Sequence, residues 1–224
     1  MKPQLTITRL KKAAREFCQT ESKYKNKDLF GVTDGKAVGT YIEHKFQAYL
    51  EKYYTYEKGS SAKGIDLPGK SIYTDIKVTS IRQPQSSCPF RDAKQKIFGL
   101  GYNLLVFVYY KTDDNKSKKA VLDFVSCSFL EKERTADYTT TFRLREMIKD
   151  GANQEDIEAY LNDRNIPADD LTLKLIAKRI LQDTPKQGYL TISNALQWRL
   201  QYGRIVKLTE TIDGISKLIN KVTK

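Results

Sequence analysis

Hydrophobic positions along the chain recur first at helical spacing and then at strand spacing. The stretch from Ile7 to Phe17 reads as a helix, and Asp34-Gly35-Lys36 reads as a turn. A stronger helix is predicted from near Val38, where Tyr41, Ile42, Phe46, Tyr49, Leu50 and Tyr53 return every three or four residues. Between 64 and 78 the pattern becomes that of a β-hairpin. Pro68-Gly69 supplies its turn, and the returning arm from Ser71 to Val78 is rich in β-branched residues. Pro89 suits a helix start, with Phe90, Ala93, Ile97 and Phe98 as the buried face and Gly99 and Gly101 at the end. Leu104 to Tyr110 is apolar without alternation, which predicts a strand covered on both faces. Ala120 to Ser128 reads as another strand, after the polar turn Asp113-Asp114-Asn115. From Phe142 the pattern is helical. Asn153 caps a helix over 155–162, Pro167 with Asp169 and Asp170 opens one through Leu181, and a last helix is predicted over Ile192 to Tyr202. The order implies an α/β (α+β) fold, with a core over 1–130 and an α-rich C-terminal subdomain over 131–224.

Composition sharpens this picture by exclusion. The 224 residues hold 39 Lys and Arg against 27 Asp and Glu, a net charge of +12 that favours a polyanionic partner. The surplus is uneven. Residues 1–130 carry 23 basic and 13 acidic side chains, 131–170 carry 6 and 11, and 171–224 carry 10 and 3. The acidic stretch reads as a solvated connector or outward face between two basic regions. A single histidine, His44, and three cysteines without a CxxC pair exclude most zinc chemistry. There is no phosphate-binding glycine loop and no G-x-S-x-G turn. No apolar run approaches the roughly 20 residues of a membrane helix, and no secretory signal is visible, so a reducing cytoplasm is the expected location. Any chemistry falls to carboxylates and lysines.

One constellation stands out: Gly64-Ile65-Asp66, eight intervening residues, then Asp75-Ile76-Lys77. On a strand, residues two apart point the same way, so Asp75 and Lys77 project together while Ile76 and Val78 face the core. A hairpin folded at Pro68-Gly69 brings Asp66 beside Asp75. Two carboxylates and a lysine at one spot suit phosphodiester hydrolysis: the oxygens take a hard divalent cation such as Mg²⁺, and the ammonium offsets charge on the phosphorane. The acid-x-Lys triplet also occurs at Glu21, Asp34, Glu43, Asp92 and Asp114, and at Glu21, Asp34 and Asp114 a solvated surface pair is the simpler reading. Asp75 differs because a buried helix and strand follow it and an acid lies one hairpin away. Glu43 is a third acid, at the margin of the apolar face of its helix. Gly39, Thr40, Phe46 and Gln47, three and four residues from it, offer no basic partner, so it reads as a supporting or second-metal acid.

Gly39-x-x-x-Glu43, Gly64-Ile65-Asp66 and Asp75-Ile76-Lys77, followed by a helix and the strand from Leu104, resemble the core of PD-(D/E)XK nucleases, and within them type II restriction endonucleases. The resemblance covers roughly residues 36 to 130. It implies an αβββαβ core, a restriction-endonuclease-like mixed sheet flanked by helices. It implies that Asp66 and Asp75 bind Mg²⁺ together with the backbone carbonyl of Ile76, that Lys77 is the catalytic lysine, and that Glu43 is the helix-borne acid of many members. It also implies a homodimer acting on palindromic double-stranded DNA and a protecting DNA methyltransferase as genetic partner. The chain departs from the pattern in having Ile65 rather than proline before Asp66, and in the short spacing to Asp75.

The segment after the catalytic strand supplies candidate DNA contacts. Arg82, Gln83, Gln85, Ser86, Ser87 and Arg91 offer bidentate and hydroxyl groups, and two prolines, Pro84 and Pro89, hold the segment extended. Lys94 and Lys96 are expected to contact phosphates. Gln197, Trp198, Arg199, Tyr202 and Arg204 lie together near the end. Trp198 and Tyr202 suit a core contact, and Arg199 and Arg204 a grip on DNA or a dimer partner. The sequence-specific endonuclease is therefore the leading expectation. A structure-specific nuclease (a Holliday junction resolvase or repair endonuclease) and a non-catalytic DNA-binding protein are the alternatives.

Overall fold

In a computed structural model, which describes residues 1–59, 64–89, 91–193 and 198–222, the chain alternates between two units. The first holds 1–84, 103–130 and 206–224, and the second 85–102 and 131–205. A linear split at residue 130 thus misses two exchanges, both made by strand pairing.

The first unit is a mixed sheet flanked by helices. Helix α1 (Ile7–Glu21) is capped by Thr6 and leads through β1 (Lys25–Asn26) to α2 (Gly35–Tyr53). Asp34, expected in a turn, is the N-cap of α2, accepting from the backbone N–H groups of Lys36 and Ala37. Strand β2 (Thr74–Ser80) runs parallel to β4 (Asn103–Asp114), which turns back antiparallel into β5 (Lys119–Leu130). The last strand, β8 (Ile215–Asn220), returns to β5, and β2 forms the other edge of the order β1-β5-β4-β2. The apolar stripes of α1 and α2 meet the sheet around Phe17, Phe46, Phe107 and Phe124, all buried, with ring centroids 5.0–6.1 Å apart. The arm before β2 is shorter than the hairpin expected. A single bridge joins Leu67 to Thr74, each N–H bonding the other's carbonyl at 3.0 Å.

The second unit holds three helices, α4 (Tyr138–Lys149), α5 (Gln154–Asp163) and α6 (Asp170–Gln182), preceded by a four-residue α3 (Gln95–Phe98). The caps fall where sequence places them: Asn153 closes a capping box with Asp156, and Asp169 caps α6. Beside the helices lies a three-stranded antiparallel sheet in the order β3-β7-β6, from β3 (Gln85–Cys88), β6 (Thr191–Ser193) and β7 (Trp198–Gln201). The helix expected over Ile192 to Tyr202 is therefore wrong. Trp198, Leu200 and Tyr202 are buried while Arg199 and Gln201 are exposed, an alternation of period two that belongs to a strand. The chain from Pro89 does not start a helix either: β3 ends at Cys88 and α3 begins only at Gln95. A short turn of helix, α7 (Gly203–Val206), follows β7. Phe90 and Gln197 lie outside the described residues.

Candidate active site

A cleft of about 630 Å³ opens where α2 lies against β2. Gly39 lies at that approach, where a Cβ would stand 3.4 Å from the carbonyl oxygen of Val78. One and two turns further on, Glu43 and Gln47 line the same cleft, and exposed His44 lines it beside them. Asp66 reaches it from the bridge before β2. Gly64 takes φ +60°, a conformation that favours glycine, and Ile65 and Leu67 are buried on either side of Asp66, turning it the opposite way.

The structure brings the predicted acids and lysine together. Asp66 Oδ2 accepts from the backbone N–H of Ile76 at 2.7 Å. Lys77 Nζ stands 2.7 Å from Asp75 Oδ2, with Asp75 buried and Lys77 partly so. Asp66 is within hydrogen-bonding reach of both Asp75 and Glu43, so the acids form a row with Asp66 in the middle. Ile76 itself packs into the core, as strand alternation requires. Its backbone N–H faces the outer edge of β2, the edge at which Thr74 bonds Leu67, and its carbonyl shares that edge.

Burial pushes the Asp75 carboxyl up to about 7, with the neighbouring ammonium of Lys77 opposing the rise and Asp66 adding to it. Asp66 is raised as well, chiefly by burial. Its bonds to Asp75 and to the Ile76 N–H pull it down, and Glu43 pushes it up. Two carboxyls held together out of water are the arrangement that a cation relieves. No group of three or more His, Cys, Asp or Glu among the described residues is built to hold a metal ion by itself. Mg²⁺ commonly takes only one or two carboxylates, its other positions filled by water and substrate phosphate, so this donor set of hard oxygens fits such an ion.

The expected DNA contacts are spread over both units. In the first, Arg82 and Gln83 are exposed after β2, and Arg82 lies 6.0 Å from the Tyr110 ring centroid. In the second, Gln85 is half-buried and Ser87 exposed on β3, while Ser86 turns inward to the Tyr202 hydroxyl at 2.5 Å. Arg91, Arg199 and Arg204 are exposed, and Arg204 stacks 3.6 Å from the Tyr138 ring centroid. Lys94 is half-buried, 3.8 Å from Asp92. Lys96 needs correction: it is 3% exposed and its ammonium lies 5.9 Å from the Trp198 ring centroid, with burial lowering its pKa. It belongs to the interior and offers no surface charge to a phosphate. Sequence reasoning missed Gln47, although its spacing from Gly39 and Glu43 puts all three on one helical face.

The model of the family described as type II restriction enzyme NspV matches residues 4–217. The type II restriction enzyme NspV of Nostoc sp. is 51% identical over 211 residues, covering 94% of this chain and 95% of that protein. No solved structure matches the chain.

Proposed function

The chain belongs to the family of type II restriction enzyme NspV, and from that premise we propose that it cuts double-stranded DNA at a specific sequence, using a PD-(D/E)XK-type site in this cleft. The observation that carries the assignment is the convergence of Asp66, Asp75 and Lys77, with Asp75 and Lys77 2.7 Å apart at the cleft. A divalent cation, Mg²⁺ in this reading, supplies Lewis-acid polarisation of the scissile phosphate when held by Asp66, Asp75 and the Ile76 carbonyl. Lys77, beside Asp75, places positive charge where the phosphorane develops negative charge. Glu43, whose carboxyl acts on that of Asp66, serves as the supporting acid. Arg82, Gln83, Arg91, Lys94 and Arg204 hold the duplex backbone.

Each chain brings one such cleft, and cutting both strands of a palindrome calls for two copies related by a twofold axis. A nuclease that cuts by sequence also requires protection of the host's own sites, which a methyltransferase of the same specificity provides. No helix among the described residues is long and apolar enough to cross a membrane. The test is direct. The protein is incubated with plasmid DNA and Mg²⁺, or with EDTA, and the products are separated by size. Discrete fragments that need the cation support the reading. Smeared or junction-only products, or intact DNA, overturn it.

A further inference from the structure

The three-stranded sheet of the second unit has one side in its core and one side in water. In register, Gln85 faces Gln201 and Gln201 faces Thr191; two residues along, Ser87 faces Arg199 and Arg199 faces Ser193. Strand alternation puts these six side chains on a single face, and all six are exposed or half-buried. The opposite face carries Cys88, Trp198, Leu200 and Ile192, all buried, and the Trp198 indole N–H is tied to Gln95 Oε1 at 3.0 Å. The backing is therefore buried and the outward face polar.

The make-up of that face is selective. It has two carboxamides, one guanidinium and three hydroxyls, and no carboxylate, in a chain with 27 acidic residues. Glutamine matches the adenine edge with paired bonds, arginine matches guanine, and hydroxyls accept or donate to either. At about 4.8 Å spacing the outer strand axes lie roughly 10 Å apart, comparable with the roughly 12 Å width of the DNA major groove.

We propose that this face, centred on Arg199 and Gln201 of the middle strand and flanked by Gln85, Ser87, Thr191 and Ser193, reads base edges in the major groove and sets the sequence that is cut. The proposal rests on the nuclease reading above and deepens it, adding Gln201, Thr191 and Ser193 as specificity-determining residues. Ser86 supports the face from beneath through Tyr202.

The cut sequence of the wild-type chain is first mapped on DNA of known sequence with Mg²⁺. Cutting of that site is then compared with cutting of duplexes altered at one base pair. Gln201→Ala and Arg199→Lys, which keeps the charge but loses the fork, are each expected to reduce discrimination at one base-pair position by about 10- to 100-fold. Gln201→Met keeps the length, removes the amide without adding charge and carries the same test if the alanine variant folds poorly. Unchanged discrimination, or an equal loss on every sequence, overturns the proposal while leaving the nuclease reading intact. A wild-type chain that cuts no DNA removes both.

Discussion

The cleft of the first unit and the polar sheet face of the second are made from opposite materials. In the cleft, acids and a lysine are withdrawn from water and pressed together, and Asp75 is driven up to about 7. On the sheet face, uncharged donors and acceptors and one arginine stand exposed or half-buried on a buried backing that includes Trp198. Polarising a phosphate benefits from charge held at low dielectric, where each interaction is strong. Telling one base from another depends on bonds that fit one pattern and are unmade in another, which requires groups that are placed but not already committed to the core.

The largest effect belongs to Asp75. In the metal-free protein its rise from the ordinary 3.8 to about 7 is worth on the order of 4 kcal/mol. The folded state binds this proton more tightly than the unfolded chain. No penalty exists below about pH 4, where both states are protonated. Stability then falls as pH rises toward 7, because the folded protein must ionise a buried acid. Asp75→Asn imitates the protonated form. Thermal melts in EDTA should show the wild type losing stability between pH 4 and 7 and the variant losing much less. Cutting by the variant should drop more than about 10³-fold. Parallel melting profiles would mean that Asp75 is not the strained group of the cleft.

Lys77→Ala follows. It removes a positive charge from the reacting phosphate and should slow cutting by about 10²- to 10³-fold. Binding of the mapped site, measured by gel shift, should change by less than about threefold. A comparable loss of binding would erase the division between the cleft and the sheet face.

How legible each region is in sequence follows the same division. Asp66, Asp75 and Lys77 fall within twelve residues, so one turn and one strand suffice to bring them together. Glu43 comes from a separate helix, but the spacing of Ile42 and Phe46 locates its face. The sheet face draws on residues 85–87, 191–193 and 199–201, and local sequence does not say which short strands will pair. The clue that was present is Trp198-Arg199-Leu200-Gln201-Tyr202. Its strict apolar–polar alternation is a strand signal, whereas the i, i+4 spacing of Trp198 and Tyr202 also fits a helix. Tertiary pairing decides such cases. Lys96 differs for a related reason, since the first three residues of its four-residue helix, Lys96 among them, are buried.

Gly39 tests how finely the cleft is set. Its absent Cβ would meet Val78 at 3.4 Å, an ordinary contact, so Gly39→Ala should keep activity within about twofold and gain a few tenths of a kcal/mol from helix propensity. Gly39→Val adds branches that the strand backbone cannot accept. It should cost about 1–3 kcal/mol in thermal or urea unfolding, and about tenfold in cutting as Glu43 moves with the helix. Equal behaviour of the two variants would show that the distance from α2 to β2 does not tune the site.

The smallest effect separates two arginines that composition alone treats alike. Arg82 is exposed beside Tyr110, outside the sheet face, whereas Arg199 sits at its centre. If Arg82 holds a phosphate, Arg82→Ala should weaken binding a few-fold on every duplex and lower the slope of log affinity against log salt by about 0.9, with discrimination unchanged. Arg199→Lys should do the reverse, keeping the slope because its charge remains and losing discrimination because its fork is gone. Salt titrations of both variants on the mapped site and on a duplex altered at one base pair measure the two quantities independently. An Arg82 variant that lost discrimination would carry base reading beyond the sheet and into the first unit.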